Sequence, residues 1–222
     1  MSNEYKILDF YAKKAMQEGF LARSVYKLEE IQNKFNIIKK NHKIVDLGSA
    51  PGSWLQFSSS LIGENGLVIG IDYKKIKISK PNIKIIEGNF NSLENRDEIS
   101  KYSLFDGIIS DMAPDTEGDE YVDSFASSNL VKEALNFAYN NLKIGGFFVA
   151  KIFQGGAEKE IMANMKNYFE ITKWFKPKSS RKISVEIFII GLNFTKKAKP
   201  EEPILKDDPI LEQAMETGNM MW

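Results

Sequence analysis

The chain predicts an α/β fold built on a seven-stranded, mostly parallel sheet with helices on both faces. Three observations support this. Short apolar runs alternate with segments of helical period along most of the sequence, the pattern of a doubly wound sheet. The stretch Ile44 to Trp54, IVDLGSAPGSW, reads as a strand that passes through a tight, glycine-bearing turn into a helix. The next apolar run ends on Asp72, twenty-four positions after Gly48, where such folds place an acid that accepts from ribose hydroxyls.

Taken in order, Ile7, Leu8, Tyr11, Ala15 and Met16 recur at helical spacing over residues 4–18, and Gly19 closes that helix. Residues 23–35 repeat the pattern, with Val25, Leu28, Ile31, Gln32 and Phe35 near one stripe and Lys27 at its edge. Residues 44–47 form the first strand, and Ser53 is placed to cap a helix over 54–61. Strands follow at 67–72, 83–87 and 105–111, then a long helix over 123–142 and a fifth strand over 146–153. A helix over 158–167 and strands over 169–175 and 185–192 complete a single domain of residues 1–195, whose first 42 residues are a helical arm. An acidic tail over 196–222 carries one short helix, capped by Asp208 with Pro209 at its first position.

Composition narrows the chemistry. The 222 residues are 43% hydrophobic and 27% charged, an ordinary soluble balance with zero net charge. No apolar run nears the roughly 20 residues that span a bilayer, and the polar start MSNEYK is no signal peptide, so a cytoplasmic protein is expected. Without Cys there are no disulfides, thiolate metal sites or cysteine nucleophiles. His42 is the sole histidine; among Lys39, Lys40 and Lys43 it reads as a surface residue, which removes His-based catalysis. Charge is unevenly spread. Lys173, Lys176, Lys178, Arg181, Lys182, Lys196, Lys197 and Lys199 face Glu186 alone over residues 173–199, and the arm adds further bases, including Arg23. Such ends suit a polyanion.

The turn itself indicates the cofactor. A pyrophosphate loop wants G-x-G-x-x-G, whereas Gly48 and Gly52 are separated by Ser49, Ala50 and Pro51, and Pro51 lacks an N–H donor. With Asp72 in place, the loop suits a nucleoside ligand without phosphate, a description that S-adenosylmethionine satisfies. Reacting groups in such sheets gather at the carboxyl ends of strands. There the fourth strand runs into Asp111 in SDMAPD, the fifth carries Lys151 in VAKIF, and the seventh carries Glu186 in SVEIFII. A buried strand does not tolerate an unpaired charge, so Lys151 and Glu186 are expected to be partners. Methyl transfer to a ribose hydroxyl calls for a base. A lysine can serve once burial and a second ammonium, here Lys27, make its neutral form accessible.

These stretches resemble the FtsJ/RrmJ family of SAM-dependent RNA ribose 2′-O-methyltransferases. The likeness runs from about residue 9 to 192 and rests on EGFLARSVYKLEEI, VDLGSAPGSW, SDMAP, VAKIFQG and KPKSSRKISVEIFII. It implies a Rossmann-like sheet whose seventh strand is antiparallel and a Lys-Asp-Lys-Glu tetrad on Lys27, Asp111, Lys151 and Glu186, with Lys151 as proton acceptor. The resemblance also places S-adenosylmethionine against Gly52, Trp54, Asp72 and Asp111, the loop reading adding Gly48, Ser49 and Pro51. The family's further acid is replaced here by Asn89, whose carbonyl can still accept from an adenine amino group. The substrate implied is structured RNA held by Arg23, Lys27, Lys178 and Arg181. Large-subunit ribosomal RNA ranks first, with a uridine as target, and a tRNA anticodon loop is the alternative. A monomer without metal or membrane attachment is expected. A small-molecule O-methyltransferase would not need the basic ends, and an inactive RNA-binding module would have lost the tetrad.

Overall fold

The computed structural model describes residues 3–155, 157–181 and 183–196, with side chains from residue 10 onward. The expected tail helix and Lys182, Lys197 and Lys199 lie outside the described residues. The elements run α1 (Asn3–Gln17), α2 (Val25–Phe35), β1 (Lys43–Leu47), α3 (Ser53–Ile62), β2 (Leu67–Asp72), β3 (Ile83–Glu87), α4 (Leu93–Ser100) and β4 (Phe105–Ser110). Then follow α5 (Glu120–Asn141), β5 (Leu142–Phe153), α6 (Ala157–Met165), β6 (Phe169–Phe175) and β7 (Glu186–Phe194).

The seven strands form one sheet in the order β3-β2-β1-β4-β5-β7-β6. The pairs among β1 to β5 are parallel, as the sequence predicts, and β7 runs antiparallel to both neighbours, as the family resemblance implies. Strand alternation sorts the apolar residues onto two faces. Val45, Leu47, Ile71, Ile108, Ala150 and Ile152 pack with α5 and α6; Ile44, Val68, Ile109, Val149 and Phe188 pack with α2 and α3.

Several boundaries differ from the sequence reading. Ser53 does not cap α3: Gly52 occupies that position, and the Ser53 hydroxyl instead meets the Ser24 hydroxyl at 3.0 Å. α5 begins earlier than expected because the Asp119 side chain accepts from the N–H groups of Tyr121 and Val122, an N-cap. α4 was not expected at all. It has no apolar stripe, with Ile99 buried and Leu93 exposed, and starts on the Ser92 hydroxyl accepting from Asn95 N–H. Met16, read as part of the α1 stripe, is 74% exposed. His42 is half-buried rather than a plain surface residue, because its Nδ1 accepts from Lys39 N–H and its ring lies 6.2 Å from that of Phe147. Burial pushes its pKa down, and it sits before β1, at the end of the sheet away from Asp111 and Lys151.

Gly107, central in β4, shows how tightly the faces are filled: a Cβ there would lie 2.1 Å from the Phe147 ring. Gly107→Ala therefore should cost ~1–3 kcal/mol by overpacking, or a fall of several degrees in melting temperature. Adding Phe147→Leu to that variant should restore part of the loss, as read by calorimetry.

Candidate active site

The turn after β1 is built for close approach. Gly48 has φ 72°, and a Cβ there would lie 2.7 Å from the Met112 side chain, so only glycine lets the loops after β1 and β4 touch. The N–H groups of Gly48 and Ser49 both donate to the Ile71 carbonyl, tying this turn to the end of β2. There the Asp72 carboxylate accepts from Ala50 N–H at 2.9 Å and Lys74 N–H at 2.8 Å. Backbone donors thus fix the carboxylate, and its remaining lone pairs can accept from a ligand's hydroxyls.

Gly48, Asp72, Asn89 and Asp111, four of the residues singled out in the sequence, line one cavity of about 260 Å³. Ser49, Pro51, Gly52 and Trp54 do not line it. Trp54 is buried: its Nε1 donates to the Ser24 carbonyl at 2.8 Å and its ring lies 5.8 Å from that of Phe188. Its side chain is therefore committed to the core, at the amino end of α3, where no side chain caps the first amides. Asn89 Oδ1 accepts from Asn91 N–H at 2.9 Å. Ile71, Tyr73, Phe90, Met112 and Leu130 complete an apolar wall that the sequence reading missed. Apolar residues after strand ends carry no signal that separates a ligand wall from core.

Beside the cavity the four charged residues assemble, with different partners from those expected. Lys151, 8% exposed, donates from Nζ to the Asp111 carbonyl at 2.7 Å, and the same nitrogen lies 3.0 Å from Asp111 Oδ1. Lys27, projecting from α2, grips both oxygens of Glu186 at 2.8 and 2.9 Å. The Lys151–Glu186 pairing is therefore corrected. In the β5–β7 register Lys151 stands opposite Phe188 and Glu186 opposite Phe153, two steps away, so each charge reaches the nearer partner.

Burial alone would raise the Glu186 pKa, but the Lys27 ammonium and its hydrogen bond outweigh it. The charge of Lys151 adds to the effect, and the Glu186 pKa stays below its ordinary 4.5. Asp111 Oδ1 is buried against the Lys151 ammonium, its ion-pair partner.

Asp46, in β1 beneath these pairs, is a further acid that the sequence reading passed over. It is fully buried with neither oxygen partnered; burial, then the charges of Asp111 and Asp72, push its pKa well up. Its signal was the same as that of Lys151: one charged residue in an apolar strand.

Of the basic positions, Arg23 Nη2 donates to the Ser179 carbonyl at 3.0 Å, while Lys178 and Arg181 are exposed on the loop before β7. Among the described residues no group of three or more His, Asp or Glu could hold a metal ion, and no helix is long and apolar enough to cross a membrane.

The Lys27–Glu186 pair makes a direct stability prediction. Because the folded-state pKa of Glu186 is lowered, the pair stabilises fully above the unfolded value of 4.5 and is lost as pH falls through the folded value. Lys27→Met leaves a half-buried carboxylate without its cation and should cost ~3–5 kcal/mol at pH 7. The double variant Lys27→Met, Glu186→Gln should recover much of this, and the gap between the two variants should close on acidification, as read by urea unfolding at pH 7 and pH 4.

The FtsJ-like methyltransferase family model matches residues 20–194. The ribosomal RNA large subunit methyltransferases E of Syntrophobacter fumaroxidans and Desulfatibacillum aliphaticivorans are 41% and 46% identical to the chain over 194 and 186 residues. These alignments cover 86% and 82% of this chain and 98% and 89% of theirs. A crystal structure described as a ribosomal RNA methyltransferase from Plasmodium falciparum superposes with a TM-score of 0.67 at 31% identity, over 79% of this chain and 98% of that one. A match that takes in the glycine turn, Asp72 and all four charged residues places the chain in the FtsJ-like methyltransferase family.

Proposed function

We propose that the protein transfers the methyl group of S-adenosylmethionine to a ribose 2′-hydroxyl of large-subunit ribosomal RNA, with a uridine as the target nucleotide. The observation that carries this is Lys151: a nearly buried amine at the carboxyl edge of the sheet, paired with Asp111, which also lines the cavity. The names and near-complete coverage of the relatives support ribosomal RNA over the tRNA anticodon loop.

The cavity fits the cofactor on three counts. Asp72, held by two backbone amides, is placed to accept from ribose hydroxyls; Asn89 can accept from an adenine amino group; and the uncapped start of α3 offers amides to a carboxylate. When bound, the cofactor would supply an electrophilic methyl group and leave as its neutral thioether. Lys151, in its neutral form, would take the proton from the 2′-oxygen. Asp111 orients the amine and stabilises the ammonium that results, and Glu186, held by Lys27, lies near enough for its charge to act on Lys151. A hydroxyl is a very weak acid, so the proton transfer must accompany methyl transfer.

Lys151→Ala should lower turnover by roughly 10²–10⁴-fold while sparing cofactor affinity; because it leaves Asp111 without its cation, the variant should melt lower and is assayed well below its melting temperature. Lys151→Arg should fail as well, because guanidinium stays protonated. The assay is labelled cofactor with unmethylated large-subunit ribosomal RNA, followed by mass mapping of the methylated ribose. An Arg variant with near wild-type activity would show that position 151 supplies charge only.

A further inference from the structure

A second cavity opens at the amino end of the sheet, away from Lys151. α2 stops at Phe35, where Asn36 adopts a left-handed conformation (φ 51°), and beyond that point lies a space of about 320 Å³. Phe35, Ile37, Ile144, Phe147 and Leu192 give it an apolar lining, and Ile144 is 69% exposed. Ile171, the register partner of Leu192 on β6, is 42% exposed and extends the apolar surface. The lining is otherwise basic. Lys39 and Lys143 belong to it, and neither Lys39 nor its neighbour Lys40 forms an ion pair among the described residues. Asp106, the carboxylate in the lining, is committed to Lys43 N–H at 2.7 Å and to the Lys143 ammonium at 2.8 Å. Scattered exposed apolar residues are ordinary, whereas a concave apolar surface edged by free cations suits a docking partner.

The segment that fits is the chain's own tail. The family match ends at residue 194, with β7, so residues 197–222 lie beyond it. Their sequence puts Ile210, Leu211, Ala214 and Met215 on one helical stripe, and six acids stand against Lys206 alone over residues 200–222. That pairing of apolar stripe and acidic balance complements an apolar lining with free ammonium groups. The tether fits too. Leu192 and Asn193 line the cavity, and the Lys196 ammonium, at the end of the described chain, lies 5.6 Å from the centre of the Tyr139 ring, four residues before Lys143. The eleven residues 197–207 can span roughly 20 Å, which holds the stripe near the cavity at an effective concentration on the order of millimolar.

We propose that residues 208–222 dock into this cavity of the same chain, with the 210–215 stripe against Phe35, Ile144 and Leu192 and the tail's acids facing Lys39 and Lys40. Docking joins the last turn of α2 to the start of β5 and the end of β7, three pieces that meet at the cavity. α2 carries Lys27, so the tail steadies from the far end of the sheet the helix whose ammonium grips Glu186. The inference does not rest on the methyl-transfer reading.

The chain has no Cys, so a pair of introduced cysteines reports the contact without background. The full chain carrying Ile144→Cys and Met215→Cys is oxidised, and its rate of disulfide formation is compared with that of Leu93→Cys and Met215→Cys. Leu93, 77% exposed at the start of α4, follows the carboxyl end of β3 and serves as the distant control. The first pair should close within one chain about tenfold faster than the second, as read by non-reducing electrophoresis and peptide mass spectrometry. Leu211→Asp should lower the melting temperature by a few degrees, and by less when Ile144→Asp is already present, the coupling that a direct contact requires. Equal rates in the two cysteine pairs overturn the docking. So does a Leu211→Asp variant that melts with wild type, or a fall that is the same with and without Ile144→Asp. Disulfide-linked dimers from the first pair assign the cavity to the tail of a second copy and overturn the intramolecular contact as well.

Discussion

Four charged side chains meet at the carboxyl edge of an otherwise apolar sheet, and they persist there as two ion pairs, Lys27–Glu186 and Lys151–Asp111. Any one of them left alone would carry a desolvation cost of several kcal/mol. The pairing constrains much of the rest. Lys27 reaches Glu186 because α2 lies across that face of the sheet, held by Leu28 and Ile31 in the core and by the Trp54 indole on the Ser24 carbonyl. Lys151 reaches Asp111 because β4 and β5 are in register to Ser110 and Ala150, bringing the end of one strand beside the amine of the other. Met112, the next residue, then presses against Gly48, so the glycine turn after β1 and the Lys151–Asp111 pair meet at one wall.

Much of this was legible in the sequence. Period-2 and period-3.6 patterns separate strands from helices, and buried parallel strands give continuous apolar runs, so the order of elements and the residues at strand ends could be read directly. Cross-strand register could not. An isolated Lys and an isolated Glu in two apolar strands invite the inference that they meet, yet the register sets them two residues apart, and a helix residue and a loop residue complete the pairs instead. α4 escaped because LENRDEIS has no apolar period; its cap at Ser92 and the Arg96–Glu133 ion pair to α5 define it. The role of Trp54 was also hidden, since an indole beside a glycine turn reads equally as ligand wall or core.

Asp46 shows how the fold accommodates what the site demands. Its carboxyl has no hydrogen-bond partner, and burial and the charges of Asp111 and Asp72, the acids that line the cavity, push its pKa well up. A raised folded-state pKa costs folded stability increasingly as pH rises above 3.8, the value from which the unfolded chain would ionise it.

The central claim is that the Lys151 amine, oriented by Asp111, is the group that receives the ribose proton. The most direct measurement is a crystal structure with the demethylated cofactor and an RNA oligonucleotide bound together. The account predicts a ribose 2′-oxygen within about 3 Å of Lys151 Nζ, with the amine still against Asp111 and the cofactor ribose on Asp72. A 2′-oxygen that instead faces the Asp111 carboxylate, with Lys151 turned away from the substrate, would contradict it.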